Sequence, residues 1–228
     1  MTQKLKDKNL AREIKLKMCT TSAKSYKEIE ELNLTNINFL GNVLNIDLKE
    51  IVELEELKSL SLKFFDITDD VIDSINKLNK LYKLEFYMCE FKTRKALNSN
   101  INNLTFYCCN KLQKDIFKDN ITTERLELTK SGIVDFSNLE LCQNLKELKV
   151  RDCAVVSLPN ISKLTNLEYI YLNNTELQYD FDISQMKNLK FISFNGAKTP
   201  NKELYIHNLQ EQNKNIQIEW REDDLPIE

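Results

Sequence analysis

Two cysteines stand side by side, Cys108 and Cys109, in the stretch NINNLTFYCCNKL; a third lies at Cys89, and the chain holds a single histidine, His207. Adjacent thiols can form a redox pair or half of a metal site, and a cysteine within reach of a histidine can act as a nucleophile. The spacing argues against all three. No CxxC pair occurs, and His207 is remote in the chain from every cysteine, so neither zinc-type ligation nor Cys–His catalysis is indicated. P-loop, GxSxG and HExxH strings are absent as well. The paired acids Asp69 and Asp70 are explained by capping of a helix. No cofactor and no enzymatic activity are expected.

The cysteines make sense once the elements that carry them are read. LKELKVRDCAV from Leu145 and LEYIYLNNTEL from Leu167 share apolar residues at positions one, four, six and eleven and a small residue at position nine. The same frame fits stretches beginning at Ile29, Leu57, Leu81, Ile101, Thr123 and Leu189. Successive starts are 28, 24, 20, 22, 22, 22 and 22 residues apart, a periodicity that marks a stack of repeated coils. Positions four to six, as in Leu148-Lys149-Val150, alternate apolar and polar like a half-buried strand. One coil cannot bury its own leucines, so the strands must stack in parallel about 4.8 Å apart around a shared core. Apolar residues three and four apart in KEIVELEEL and DDVIDSINKL predict helical turns on the opposite side.

This frame resembles the leucine-rich repeat signature LxxLxLxxNxL, in eight copies. The 22-residue copies are similar to the internalin class, and FDITDDVIDSINKL is similar to the longer helix-bearing repeats of ribonuclease inhibitors. The resemblance implies an α/β solenoid, a curved leucine-rich repeat stack with a parallel concave β-sheet and helical or irregular convex turns. The departure is at position nine, where the family favours Asn and this chain has Ile37, Phe65, Cys89, Cys109, Ser131, Cys153, Thr175 and Ala197. Cys89, Cys109 and Cys153 are then expected to point into the core as a ladder of buried thiols, with Cys108 facing outward. Ile37 and Phe65 imply that the first two coils close differently. Cys142 is expected beneath a convex turn, and Cys19 in the N-terminal segment.

Three segments follow within one continuous domain: an N-terminal helical cap over 1–28, eight repeats over 29–199, and a C-terminal cap over 200–228 made of a helix and a last strand. Leu5, Ile14 and Leu16 are among the few apolar residues available to dock the first helix; Ile216-Gln217-Ile218 is the expected last strand, with Trp220 closing the core.

Function must then lie on positions three, five, seven and eight, which form the concave surface. Phe64, Tyr87, Met88 and Tyr107 make an aromatic stripe, with side chains of the kind enriched at protein interfaces. The same tyrosines also suit exposed strands without any partner. Arg125, Lys130, Lys149 and Arg151 interleave with Glu127, Glu147 and Asp152, a mixture better read as mutually satisfied ion pairs than as a nucleic-acid groove. Tyr169, Tyr171 and Phe191 form a third group. The partner-binding residues expected are Phe64, Tyr87, Tyr107, Arg151 and Tyr171 as anchors, with Lys63, Lys149 and Asn173 as polar contacts.

With 32 basic against 35 acidic side chains the net charge is −3, so no global field draws the chain to nucleic acid or an anionic membrane. The N-terminal stretch carries no signal-like apolar run, and six cysteines without paired caps suit a reducing compartment. A monomeric, cytoplasmic scaffold that regulates or inhibits a partner protein is the expectation. The alternative is an extracellular or host-directed recognition or adhesion module whose signal sequence is absent.

Overall fold

The computed structural model describes residues 5–37, 40–97, 101–119, 122–131, 136–156, 158, 160–177, 182–199 and 201–221. Its dominant feature is a parallel sheet of nine described strands that follow one another in chain order. They run from Glu31–Thr35 in the first coil to Phe191–Ser193 in the eighth, with Gln217–Glu219 added beyond it. Position pairs with position throughout: Leu32, Leu60, Leu84, Leu104, Leu126, Leu148, Ile170, Ile192 and Ile218 stand opposite one another in turn. The register expected from spacing is thus the one adopted, including in the irregular first coils. A one-residue slip would turn every leucine outward, which is why the apolar pattern pins it.

Position six brings Phe86 and Phe106 into the core, stacked at 5.4 Å with an interplanar angle of 9°. Phe91 and Phe117 meet Phe106 edge-on at 5.6 and 6.3 Å, and Phe117 stacks on Phe136 at 6.4 Å. This spine of rings crosses the third to fifth coils between the sheet and the convex turns. Those turns are 3-10 helices at Leu48–Glu53, Lys114–Phe117, Leu139–Leu141 and Ile161–Lys163. A 22-residue coil has room for little more than one tight turn. The 24-residue second coil instead carries an α-helix over Asp69–Ile75, although the 28-residue first coil carries only the 3-10 helix Leu48–Glu53 among its described residues. Its N-cap is Thr68; Asp69 and Asp70 occupy the first turn, where they oppose the positive end of the helix dipole.

Position nine is the seam between coils. The Cys89 and Cys109 thiols donate to the Leu62 and Phe86 carbonyls of the preceding coil, each at 3.4 Å. The Ser131 hydroxyl donates to Phe106 O at 3.2 Å and the Cys153 thiol reaches Leu128 O at 3.9 Å. At these four positions a small donor side chain ties one coil to the strand before it, while Phe65 and Ala197 fill the same buried row without a donor. The described side chains of this row are buried except Ile37, which is half-buried and bridges antiparallel to Val43. The first coil does close differently. The second does not, since Phe65 is buried like its successors.

One feature gives little sign of itself in the sequence. Position eight is left-handed in seven successive coils, at Phe64, Met88, Cys108, Lys130, Asp152, Asn174 and Gly196, with φ between 51 and 67°. Each turns the chain off the strand while its N–H still donates to the strand end of the next coil, as Met88 does to Tyr107 O at 2.8 Å. Gly196 is the one glycine in the row, and a Cβ there would lie 1.9 Å from Asn174 Oδ1. Asn174 in turn donates to Asp152 Oδ1 at 3.0 Å. Gly196→Ala is therefore expected to lower unfolding stability by roughly 1–2 kcal/mol, measured by urea denaturation; an unchanged midpoint would mean that Asn174 swings aside freely.

At the N-terminal end the helix Lys8–Cys19 is capped by Asp7, which accepts from Leu10 N at 2.6 Å. Glu50 of the first coil accepts from Lys6 N and Asp7 N and seats the helix. Leu10 and Ile14, one helical turn apart, are the buried residues, and Leu5 is partly buried. Leu16 is 56 % exposed; available to dock, it does not, because two residues past Ile14 lies the far side of a helix. At the other end the helix Lys202–Gln212 buries Tyr205 and Leu209, and half-buried Trp220 packs on Phe194 with ring centroids 4.9 Å apart.

Candidate functional site on the concave face

The concave face is built by positions three, five and seven of every strand, with position eight on its rim. In the third and fourth coils Tyr87 and Tyr107 stand opposite each other, rings tilted and 5.9 Å apart, both half-buried. Burial, with Glu85 beside it, pushes the Tyr87 phenol above its ordinary value, which keeps it a neutral donor. The left-handed backbone at position eight presents Met88 44 % exposed next to this pair. Phe64 sits one coil earlier on the same rim, half-buried, with Lys63 Nζ 5.3 Å from its ring centre.

On the opposite rim, position two carries ion pairs from coil to coil. Lys58 pairs with Glu30 at 2.8 Å, Lys146 with Glu124 at 3.2 Å and Lys190 with Glu168 at 2.5 Å. The third and fourth coils place Tyr82 and Asn102 in that row instead, and Tyr82 is 46 % exposed. The charged edging therefore lapses in the same two coils that carry Tyr87, Met88 and Tyr107. Tyr82 and the Tyr87–Tyr107 pair with Met88 thus flank the two edges of the sheet there, with the Lys83–Glu85 ion pair, Asn103 and Thr105 between them.

Toward the C-terminal end Tyr171 and Phe191 meet with centroids 5.5 Å apart, and Lys149 Nζ lies 5.4 Å from the Tyr171 ring centre. Asn173 accepts from the Ser193 hydroxyl at 2.8 Å. Between the two aromatic groups lies the charged patch. Glu147 takes both Lys149, at 2.8 Å, and Arg125, at 3.6 Å. Arg151 takes no part in this: its Nε is buried and has no hydrogen-bond partner among the described residues. The patch is thus not fully self-satisfied, contrary to the reading from composition, and sequence gives no means of telling which of several nearby acids an arginine will reach.

The eight anchor and contact residues expected from the repeat all lie on this face or its rim, in two groups. Phe64, Lys63, Tyr87 and Tyr107 are together in coils two to four; Lys149, Arg151, Tyr171 and Asn173 are together in coils six and seven. Met88 and Tyr82 complete the first group. Cys108 is half-buried on the rim while Cys109 is buried, so the adjacent thiols do face apart. His207 is exposed on the C-terminal helix. Among the described residues no group of three or more His, Cys, Asp or Glu side chains is placed to hold a metal ion.

No family model matches the chain, and no curated protein matches it. Solved structures do. An internalin (InlF) of Listeria monocytogenes superposes with a TM-score of 0.54 at 20 % identity, over 78 % of this chain and 52 % of that one. Internalin C2 of the same organism gives 0.51 at 18 % identity, over 82 % and 93 %. A leucine-rich-repeat protein of Leptospira interrogans gives 0.52 at 21 % identity, over 96 % and 60 %. The chain thus spans about half of the first of these and three fifths of the last.

The expectation of a cytoplasmic location is corrected by these matches, since internalin-like repeat proteins are extracellular or cell-surface proteins. That expectation leaned on the lack of a signal-like apolar run in the N-terminal stretch and on unpaired cysteines. In the structure four of the six are buried, and their placement answers to core volume and seam hydrogen bonding. A thiol hidden in a packed seam says nothing about the redox poise outside it. Its repeat, its strand register and these superpositions together make the chain a leucine-rich-repeat solenoid of internalin-like fold.

Proposed function

We propose that this protein is a non-enzymatic recognition scaffold, acting outside the cytoplasm or toward a host, that holds a partner protein on its concave face. The observation that carries this is the cluster of Tyr87, Tyr107 and Met88, with Tyr82 on the opposite edge, exposed or half-buried in the two coils where the ion pairing along position two lapses. Large rigid rings bury much area on contact and lose little side-chain entropy, so such a cluster favours association. Phe64, Tyr87, Tyr107, Arg151 and Tyr171 act as anchors, and Lys63, Lys149 and Asn173 supply polar contacts at the margins. The described parts of the two end segments, 5–28 and 201–221, close the two ends of the stack, and the scaffold acts as a monomer. Residues 1–4, 200 and 222–228 of the segments 1–28 and 200–228 lie outside the described residues.

Affinity capture from intact cells, comparing the full chain with a Tyr87→Ala, Tyr107→Ala, Arg151→Glu variant of equal melting temperature, tests this reading. A partner whose capture falls at least about tenfold in the variant supports the concave site. A partner retained equally by both moves the site to the convex turns or the ends.

A further inference from the structure

Position seven forms a row across the strands that carries no acid: Thr35, Lys63, Tyr87, Tyr107, Thr129, Arg151 and Asn173 follow in register. Within it Arg151 stands apart from the other strand cations. Lys83 and Lys149 each meet a carboxylate, at 3.1 and 2.8 Å, and Lys63 lies over Phe64. The acids near Arg151 are engaged elsewhere. Glu147 holds Lys149 and Arg125, Asp152 accepts from Asn174, and Glu127 accepts from Thr129 at 3.5 Å. The flanking Thr129 and Asn173 are uncharged, and Asn173 has its oxygen occupied by Ser193. A guanidinium is left between two aromatic groups, its Nε buried and without a hydrogen-bond partner among the described residues.

A buried polar atom without a partner calls for an explanation, and a planar fork of donors fits one ligand group best, a carboxylate taken by two parallel hydrogen bonds. The neighbouring strands fix how far that carboxylate is from the aromatic strip. Tyr107 lies two strands from Arg151 and Tyr87 three, which is about 10 and 14 Å at the usual strand separation, or three and four residues of extended peptide. We propose that the partner enters as an extended acidic segment running across the strands. Its Asp or Glu side chain seats on Arg151, and an aromatic or large aliphatic side chain three or four residues away seats on the Tyr87–Tyr107 pair. The inference rests on the concave-face reading above and specifies the chemistry of what binds there.

The test selects peptides from a phage-displayed random 12-residue library on the full-length protein, then measures synthetic copies against variants that melt at the wild-type temperature. The expected result is enrichment of an acid three or four residues from an aromatic or large aliphatic residue. Arg151→Ala should weaken those peptides at least about tenfold, and Glu→Gln in the peptide should cost the same on wild type but little on Arg151→Ala. Raising salt from 50 to 500 mM should weaken wild-type binding and leave Arg151→Ala binding nearly level. Peptides lost on Tyr87→Ala, Tyr107→Ala but indifferent to Arg151→Ala would overturn the acidic-segment proposal while keeping the concave site. Peptides indifferent to both variants, or a library yielding none, would overturn both.

Discussion

Phe106→Ala is expected to lower the free energy of unfolding by about 3–5 kcal/mol, the range for emptying a fully buried aromatic site. Phe106 is 0 % exposed and meets Phe86, Phe91 and Phe117 at centroid distances of 5.4, 5.6 and 6.3 Å. None of these can collapse into the vacated space without leaving its own coil. In a solenoid each coil touches only its neighbours, so the loss falls on the two interfaces of the fourth coil and weakens coupling along the stack. Hydrogen exchange should then show protection falling first in the third to fifth coils. Tyr107 is the control, because it is the next residue on the same strand and faces outward. Tyr107→Ala should cost no more than about 1 kcal/mol. Equal costs in urea denaturation would contradict the packing described here.

That pair also shows what a sequence of this kind discloses. Phe106 and Tyr107 are both aromatic, and only the period of the repeat tells that one is core and the other surface. The period was legible because leucine, isoleucine, valine and phenylalanine recur at positions four and six, and any slip in register would expose them all. The rim was not legible. Phe64, Met88, Cys108 and Lys130 are residue types that rarely take a left-handed backbone, and only Asn174, Asp152 and Gly196 hint at it. The turn is imposed by the neighbouring coil's strand end, which accepts the position-eight N–H, so tertiary geometry overrides local preference there. Leu16 is exposed where Leu10 is buried, because a short charged helix offers few apolar residues and its buried face is set by Glu50 and Asp7 at the helix start. Arg151 was named as an anchor, but its lack of a partner was hidden, since the acids around it balance the charge on paper.

The cysteines provide the other large effect, and its sign follows from burial. In the native protein, exposed Cys19 and half-buried Cys108 should react with an uncharged disulfide reagent within seconds to minutes. Cys89, Cys109, Cys142 and Cys153 should react slower by a factor of about a thousand or more, since each waits for the stack to open. Burial pushes the Cys142 thiol up to about 12, and it raises Cys153 as well. In the unfolded chain these thiols titrate near pH ~8.5. A group whose native value is raised stabilises the fold fully below the unfolded value and loses that contribution as pH climbs toward the native one. For Cys142 alone the loss reaches about 2 kcal/mol at pH 10. Urea denaturation of the reduced protein at pH 8 and pH 10 should therefore show a steep fall, and Cys142→Ala should make it shallower. A flat profile with six equally fast thiols would mean that the seam between coils is open to water, and the position-nine hydrogen bonds would then not be what joins them.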